Sequence, residues 1–159
     1  MFKTTKLILS TVALCFLGAS SVQACTSMVL AGTDGGRVYG RTMEFGIPLK
    51  SAILKTPRGY AFQGVGIDGV AGSGKNWTSK YATIGANAFG LPIYVDGINE
   101  AGLAGGLLNA PNTAQYQNPS KDQSANSIAS QQLLLYVLTN FATIDEVKDA
   151  LPKMYVNSS

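Results

Sequence analysis

The chain has 159 residues, 46% of them hydrophobic and only 13% charged, a balance that excludes a disordered or nucleic-acid-coating protein. A formal net charge of +3, from 12 basic and 9 acidic side chains, is too small a surplus for a phosphate-neutralising patch, so nucleic acid is not an expected partner. The absence of histidine removes Ser-His-Asp and Cys-His catalysis, His-ligated zinc and the usual base near neutral pH. A nucleophile in this chain needs another base.

Lys3 and Lys6 precede an apolar run from Leu7 to Leu17, and small residues lead from Gly18 to Val22-Gln23-Ala24. Residues 1–24 read as a secretory signal peptide cleaved after Ala24, which implies a periplasmic or secreted bacterial protein. The apolar run is about half of the ~20 residues that a spanning helix requires, so no stable membrane span is expected. Cleavage removes Cys15 and leaves Cys25 as a lone thiol that cannot close an internal disulfide. Losing Lys3 and Lys6 also takes the formal net charge from +3 to +1.

Residues 25–45 read as strand, Asp34-Gly35 turn, strand: a hairpin carrying Cys25 at its start. Further strands are predicted at 52–55, 60–63, 81–86, 93–97 and 102–108, punctuated by Pro57, Pro92 and Pro111. Residues 112–126 are polar and aperiodic and read as a solvated loop. Apolar residues from Ile128 to Phe141 predict a helix over 127–142, packed on a sheet. Thr143-Ile144-Asp145-Glu146 is a capping box that opens a second helix, and Pro152 ends it. Beyond it the sequence offers no closing element before Ser159. With no repeat and no linker, residues 25–159 read as one α+β domain or part of one.

Gly64-Val65-Gly66-Ile67-Asp68-Gly69 has dinucleotide-loop spacing, and Gly69 to Lys75 nearly completes a phosphate loop. Both motifs need a following helix, and Trp77-Thr78-Ser79-Lys80-Tyr81 has strand character, so a Gly-rich surface loop is the preferred reading. Cys25 leaves three readings: a small buried hydrophobe, the lipid-modified cysteine of a lipoprotein, or a nucleophile. Gln23 and Val22 make a poor lipobox. In the third reading cleavage places an α-amine, with an ordinary pKa near ~7.7 to 8.0, on the same residue as the thiol, and so supplies the missing base.

Cys25-Thr26 followed by Gly40-Arg41-Thr42-Met43-Glu44 resembles the choloylglycine hydrolase and penicillin V acylase family of N-terminal nucleophile hydrolases. The resemblance continues through Asp96-Gly97-Ile98-Asn99-Glu100-Ala101-Gly102-Leu103, Leu108-Asn109-Ala110-Pro111 and the helix pair at 134–151. It implies an αββα sandwich, incomplete in this chain, and hydrolysis of a linear amide C–N bond with no metal or cofactor. The implied small-molecule substrates are penicillin V, conjugated bile salts or acyl-homoserine lactones.

By the same resemblance Cys25 supplies the thiolate and the base. Arg41, expected to face Cys25 across the hairpin, stabilises the thiolate, and Glu44 orients the α-amine. Asn109 contributes to the oxyanion hole. Family members run to well over twice this length and carry further site residues beyond Ser159. The chain therefore reads as a front portion, expected to be inactive and poorly soluble alone, with the apolar helix partly uncovered and a tetramer-like homo-oligomer only at full length. The alternative is a non-catalytic truncated envelope lipoprotein anchored at Cys25.

Overall fold

The computed structural model describes residues 25–110 and 113–159. The expected signal peptide and Pro111 lie outside the described residues. The first element is the predicted hairpin, β1 (Ser27–Ala31) and β2 (Arg37–Arg41), paired antiparallel with Ser27 opposite Arg41. Its turn is built as the Asp34-Gly35 signal dictates. Gly35 takes φ +82°, a left-handed conformation that glycine adopts without strain, and the Asp34 carboxylate accepts from the Gly36 N–H at 2.9 Å.

The body is a four-stranded antiparallel sheet in the order β3-β6-β7-β8. Its strands are β3 (Ile53–Thr56), β6 (Thr83–Ala86), β7 (Asp96–Asn99) and β8 (Ala104–Gly106). A small ribbon of β4 (Ala61–Phe62) and β5 (Trp77–Thr78) stands beside it. Predicted strands at 60–63 and 102–108 are thus shorter than their apolar runs, and that at 93–97 pairs only from Asp96, because Ile93 and Tyr94 are buried ahead of the ladder.

Helix α1 (Leu133–Asn140) lies on the sheet and buries Leu134, Leu135, Tyr136 and Leu138. It comes close because β7 and β8 present glycines: a Cβ on Gly97 would stand 3.0 Å from Leu138 Cδ1, and one on Gly105 would stand 3.3 Å from Leu134 Cδ1. The expectation that this apolar helix is partly uncovered is corrected: none of its residues is exposed. Trp77 extends the core, stacked on Phe62 with centroids 5.0 Å apart and edge-on to Tyr136 at 5.3 Å, with its indole N–H donating to Thr139.

The predicted helix over 127–142 is corrected at its start. Ser127–Ala129 forms β9, followed by a single 3₁₀ turn at Ser130–Gln132, and only then α1. The segment is extended because it pairs in parallel with β10 (Tyr155–Asn157), burying Ile128 and Ala129 completely. β10 is also a closing element where none was expected. The polar segment before β9 is solvated as expected, with Pro119 its one buried residue among those described, and Lys121–Asn126 coils into a 3₁₀ helix that buries none of its side chains.

Helix α2 (Ile144–Ala150) begins at the predicted cap: the Glu146 N–H donates to the Thr143 hydroxyl, and the Glu146 carboxylate accepts from the Ala142 N–H at 2.7 Å. The Gly64–Lys75 loop closes on itself through a Val65–Ala71 bridge and leads into β5, as a surface loop should and a phosphate loop should not. Among the described residues no helix is long and apolar enough to cross a membrane.

Candidate active site

Cys25 lies two residues ahead of the ladder, just beyond the Thr26–Thr42 pair, where the Thr42 N–H donates to the Thr26 carbonyl at 2.9 Å and the Thr26 N–H to the Thr42 hydroxyl at 3.2 Å. Its thiol is half-buried and points to the Glu44 carbonyl at 3.8 Å. Arg41 does not stand opposite Cys25 as expected, because the register gives it Ser27 as partner. Its side chain instead reaches off the hairpin, where Nη1 donates to the Val95 carbonyl at 2.7 Å and the Leu107 carbonyl at 2.8 Å. The guanidinium thus fastens the hairpin to both strands at that end of the sheet.

Glu44 is exposed, and its carboxylate accepts from the Thr42 hydroxyl at 3.1 Å, which places the acid on the strand end that flanks Cys25. Asn109 follows β8 on an exposed loop. Cys25, Arg41 and Asn109 converge on one cavity of about 260 Å³. Its wall is apolar, with Met43, Phe45, Phe89, Ile93 and Tyr116 among the lining residues. A larger cavity of about 500 Å³, lined by Lys75, Lys80, Tyr136 and Lys153, contains no thiol, so size alone does not mark the chemistry.

The apolar wall was not legible in the sequence. Phe45 and Phe89 meet edge to face with centroids 5.8 Å apart, although 44 positions separate them in the chain. They are brought together by two loops laced at three points: Phe89 N–H to the Leu49 carbonyl, Asn87 N–H to the Ala52 carbonyl, and Ala52 N–H to the Asn87 side chain. Lys50 and Phe89, the two non-glycine residues with positive φ among those described, sit in these facing loops. Only the Asn87 side chain, buried and bonded to both loops, could have hinted at the lacing.

Beside Arg41 stand two further titratable groups to which the sequence reading gave no role, Asp96 and Tyr39, and both line a different cavity. Burial pushes the Asp96 carboxyl up, and the Arg41 charge partly offsets this. Burial, then the negative charge of Asp96, raises the Tyr39 phenol. Asn99 holds the sheet to the helix: its amide donates to the Leu138 carbonyl at 2.8 Å and the Phe141 carbonyl at 2.7 Å, and its oxygen accepts from the N–H groups of Ala101 and Leu103. Among the described residues no three His, Cys, Asp or Glu side chains converge as metal ligands would.

A helical layer laid on an antiparallel sheet, with a cysteine-headed hairpin at the sheet's edge, places the chain in the N-terminal nucleophile hydrolase fold. Its profile match is to the linear amide C–N hydrolases, choloylglycine hydrolase family, over residues 25–158, and the chain belongs to that family. A bile salt hydrolase/transferase of Clostridium perfringens is 32% identical over 129 residues, which is 80% of this chain and 37% of the relative. A penicillin V acylase of Pectobacterium atrosepticum is 31% identical over 156 residues, 94% of this chain and 40% of the relative. The crystal structure of a mutant conjugated bile acid hydrolase from Clostridium perfringens superposes with a TM-score of 0.68 at 30% identity, covering 84% of this chain and 39% of that one. The chain therefore spans about 40% of the length of these relatives.

Proposed function

We propose that this chain supplies the nucleophile of a linear amide hydrolase exported to the periplasm, with Cys25 exposed as the N-terminal residue once residues 1–24 are removed. The observation that carries the reading is that Cys25, Arg41 and Asn109 line a single cavity with an apolar wall. In a chain without histidine, the α-amine of Cys25 is the base within reach of its own thiol.

The thiolate attacks the amide carbonyl carbon. The C–N bond then breaks as the α-ammonium returns its proton to the departing amine nitrogen, leaving the acyl group as a thioester on Cys25. Water, giving a proton to the α-amine, attacks the thioester; the carboxylic acid leaves and the thiol is restored. Arg41 places a positive charge beside the thiolate, Glu44 orients the amine, and the Asn109 amide donates to the developing oxyanion, an interaction of the kind worth roughly 3 to 4 kcal/mol of barrier.

The aromatic and aliphatic wall suits an apolar acyl group, in keeping with relatives named for penicillin V and for conjugated bile acids. The test is the intact mass of the exported protein, followed by incubation with penicillin V and with a glycine-conjugated bile salt. An unmodified Cys25 N-terminus is expected, and, in a form extended to the full length of the relatives, product release that is lost in Cys25→Ser. A mass raised by diacylglycerol and fatty acid, or full activity in Cys25→Ser, rejects the mechanism.

A further inference from the structure

The two carbonyls that hold Arg41 flank one cross-strand pair, Asp96 opposite Gly106: Val95 precedes the first and Leu107 follows the second. The guanidinium therefore lies over Gly106, in space that any other residue would fill. A Cβ at position 106 would stand 2.9 Å from Arg41 Nη1 and 3.2 Å from Arg41 Cδ, and would collide with the Tyr39 hydroxyl. All three are side-chain rather than backbone atoms, so an intruding methyl would displace Arg41 and Tyr39 while the β7–β8 ladder stays in place. The Tyr39 hydroxyl is itself buried without a hydrogen-bond partner among the described residues, an arrangement that costs stability and that a phenylalanine would avoid.

We propose that Gly106 is a positioning residue: the side-chain-free slot above it, closed by the tip of Tyr39, fixes the Arg41 guanidinium where it faces the Cys25 cavity. The proposal rests on the reading that Arg41 stabilises the Cys25 thiolate, and it adds the device that keeps Arg41 there. Asp96 is the charged group on the same face as Gly106, and Tyr39 is the other titratable side chain beside Arg41, so a displaced guanidinium moves within that field and away from the thiol.

Two measurements on the exported protein test this. In the first, protected guanidinium N–H signals of Arg41 are followed by NMR of arginine-labelled protein. They are expected to be present in the parent, lost in Gly106→Ala, and regained in part in Gly106→Ala/Tyr39→Phe, where removing the phenolic oxygen relieves the closest contact and leaves the methyl against Arg41 Nη1 at 2.9 Å.

In the second, the rate of carbamidomethylation at Cys25 by iodoacetamide is read across pH by mass spectrometry. Gly106→Ala is expected to slow it about threefold on the acidic limb and move the midpoint upward, with partial recovery in the double variant, because the rate there follows the thiolate fraction. Retention of the Arg41 signals in Gly106→Ala overturns the slot, as does a double variant that neither regains them nor folds. If Arg41→Ala leaves the alkylation profile unchanged, it is the role given to Arg41 that fails, and the NMR signals still decide the slot.

Discussion

The sheet-and-helix body and the β1–β2 hairpin are held by different means. In the body, Tyr94 and Leu138 are 0% exposed, and the carbonyls at the C-terminal end of α1 are answered by Thr83, Asn99 and the N–H groups of Lys80 and Tyr81. In the hairpin, Leu30 is 59% exposed and Val38 is 65% exposed. The hairpin lies against β8 without joining its ladder, so the two Arg41 bonds to Val95 and Leu107 are its long-range polar attachment. Cys25, Arg41 and Glu44 sit on or beside the lightly held piece, Asn109 follows β8, and the burial that stabilises the fold sits in the body. Stability and reactivity should therefore separate under mutation.

The largest expected effect is in the body. Asn99→Ala removes four hydrogen bonds at once, strands the Phe141 carbonyl and leaves the buried Leu138 carbonyl with Thr83 as its remaining side-chain donor. A cost of about 3 kcal/mol or more is expected, with a melting temperature lowered by about 10 °C and amide exchange faster throughout α1 and β6–β8. If exchange rises only in the turn at 99–103, the body is less cooperative than its hydrogen bonding implies.

Arg41→Ala should cut the attachment and leave the body standing. Two hydrogen bonds from a charged donor are lost at a partly buried site, worth about 2 kcal/mol together. Amide exchange in 27–41 should accelerate with α1 unchanged, and Cys25 alkylation should slow below neutral pH. Acceleration across both regions would mean that the hairpin and the body unfold as one unit.

Thr143→Ala should cost about 1 kcal/mol by removing the acceptor for the Glu146 N–H, and the loss should be confined to α2. Helical exchange measured over 144–150 against 133–140 checks this, and equal loss in both helices would contradict it.

What could be read from the sequence follows the same division. The hairpin was legible because Asp34-Gly35 and the flanking alternation are local signals, and α2 because Thr143 and Glu146 are three residues apart. The start of α1 was not: Ile128 and Ala129 continue the apolar run of the helix, and only pairing with Val156 and Asn157, some thirty residues later, makes them a strand. At the site, the missing histidine and the lone thiol pointed to Cys25, and a short motif pointed to Arg41 and Glu44. The carbonyls that hold Arg41 and the Phe45–Phe89 wall depend on contacts 44 to 66 positions apart in the chain, which no periodicity encodes.

The smallest expected effect lies at the seam between the two regions. Burial raises the Asp96 carboxyl above its ordinary value, with the Arg41 charge acting against that rise. A carboxyl raised in the folded state binds more protons there than in the unfolded chain, so its contribution to stability is present below the unfolded value near 3.8 and is lost as pH rises through the folded one. At neutral pH the ionised Asp96 therefore works against the fold, and Asp96→Asn, which keeps the shape and removes the charge, should be slightly more stable there than the parent. The gain should shrink as the pH falls toward 4 and the parent carboxyl takes up its proton. Melting temperatures of the two proteins measured in steps from pH 4 to pH 8 decide it. A variant less stable than the parent at neutral pH would mean that the attraction between Asp96 and Arg41 outweighs the burial of the charge, and that the hairpin has a second anchor to the body.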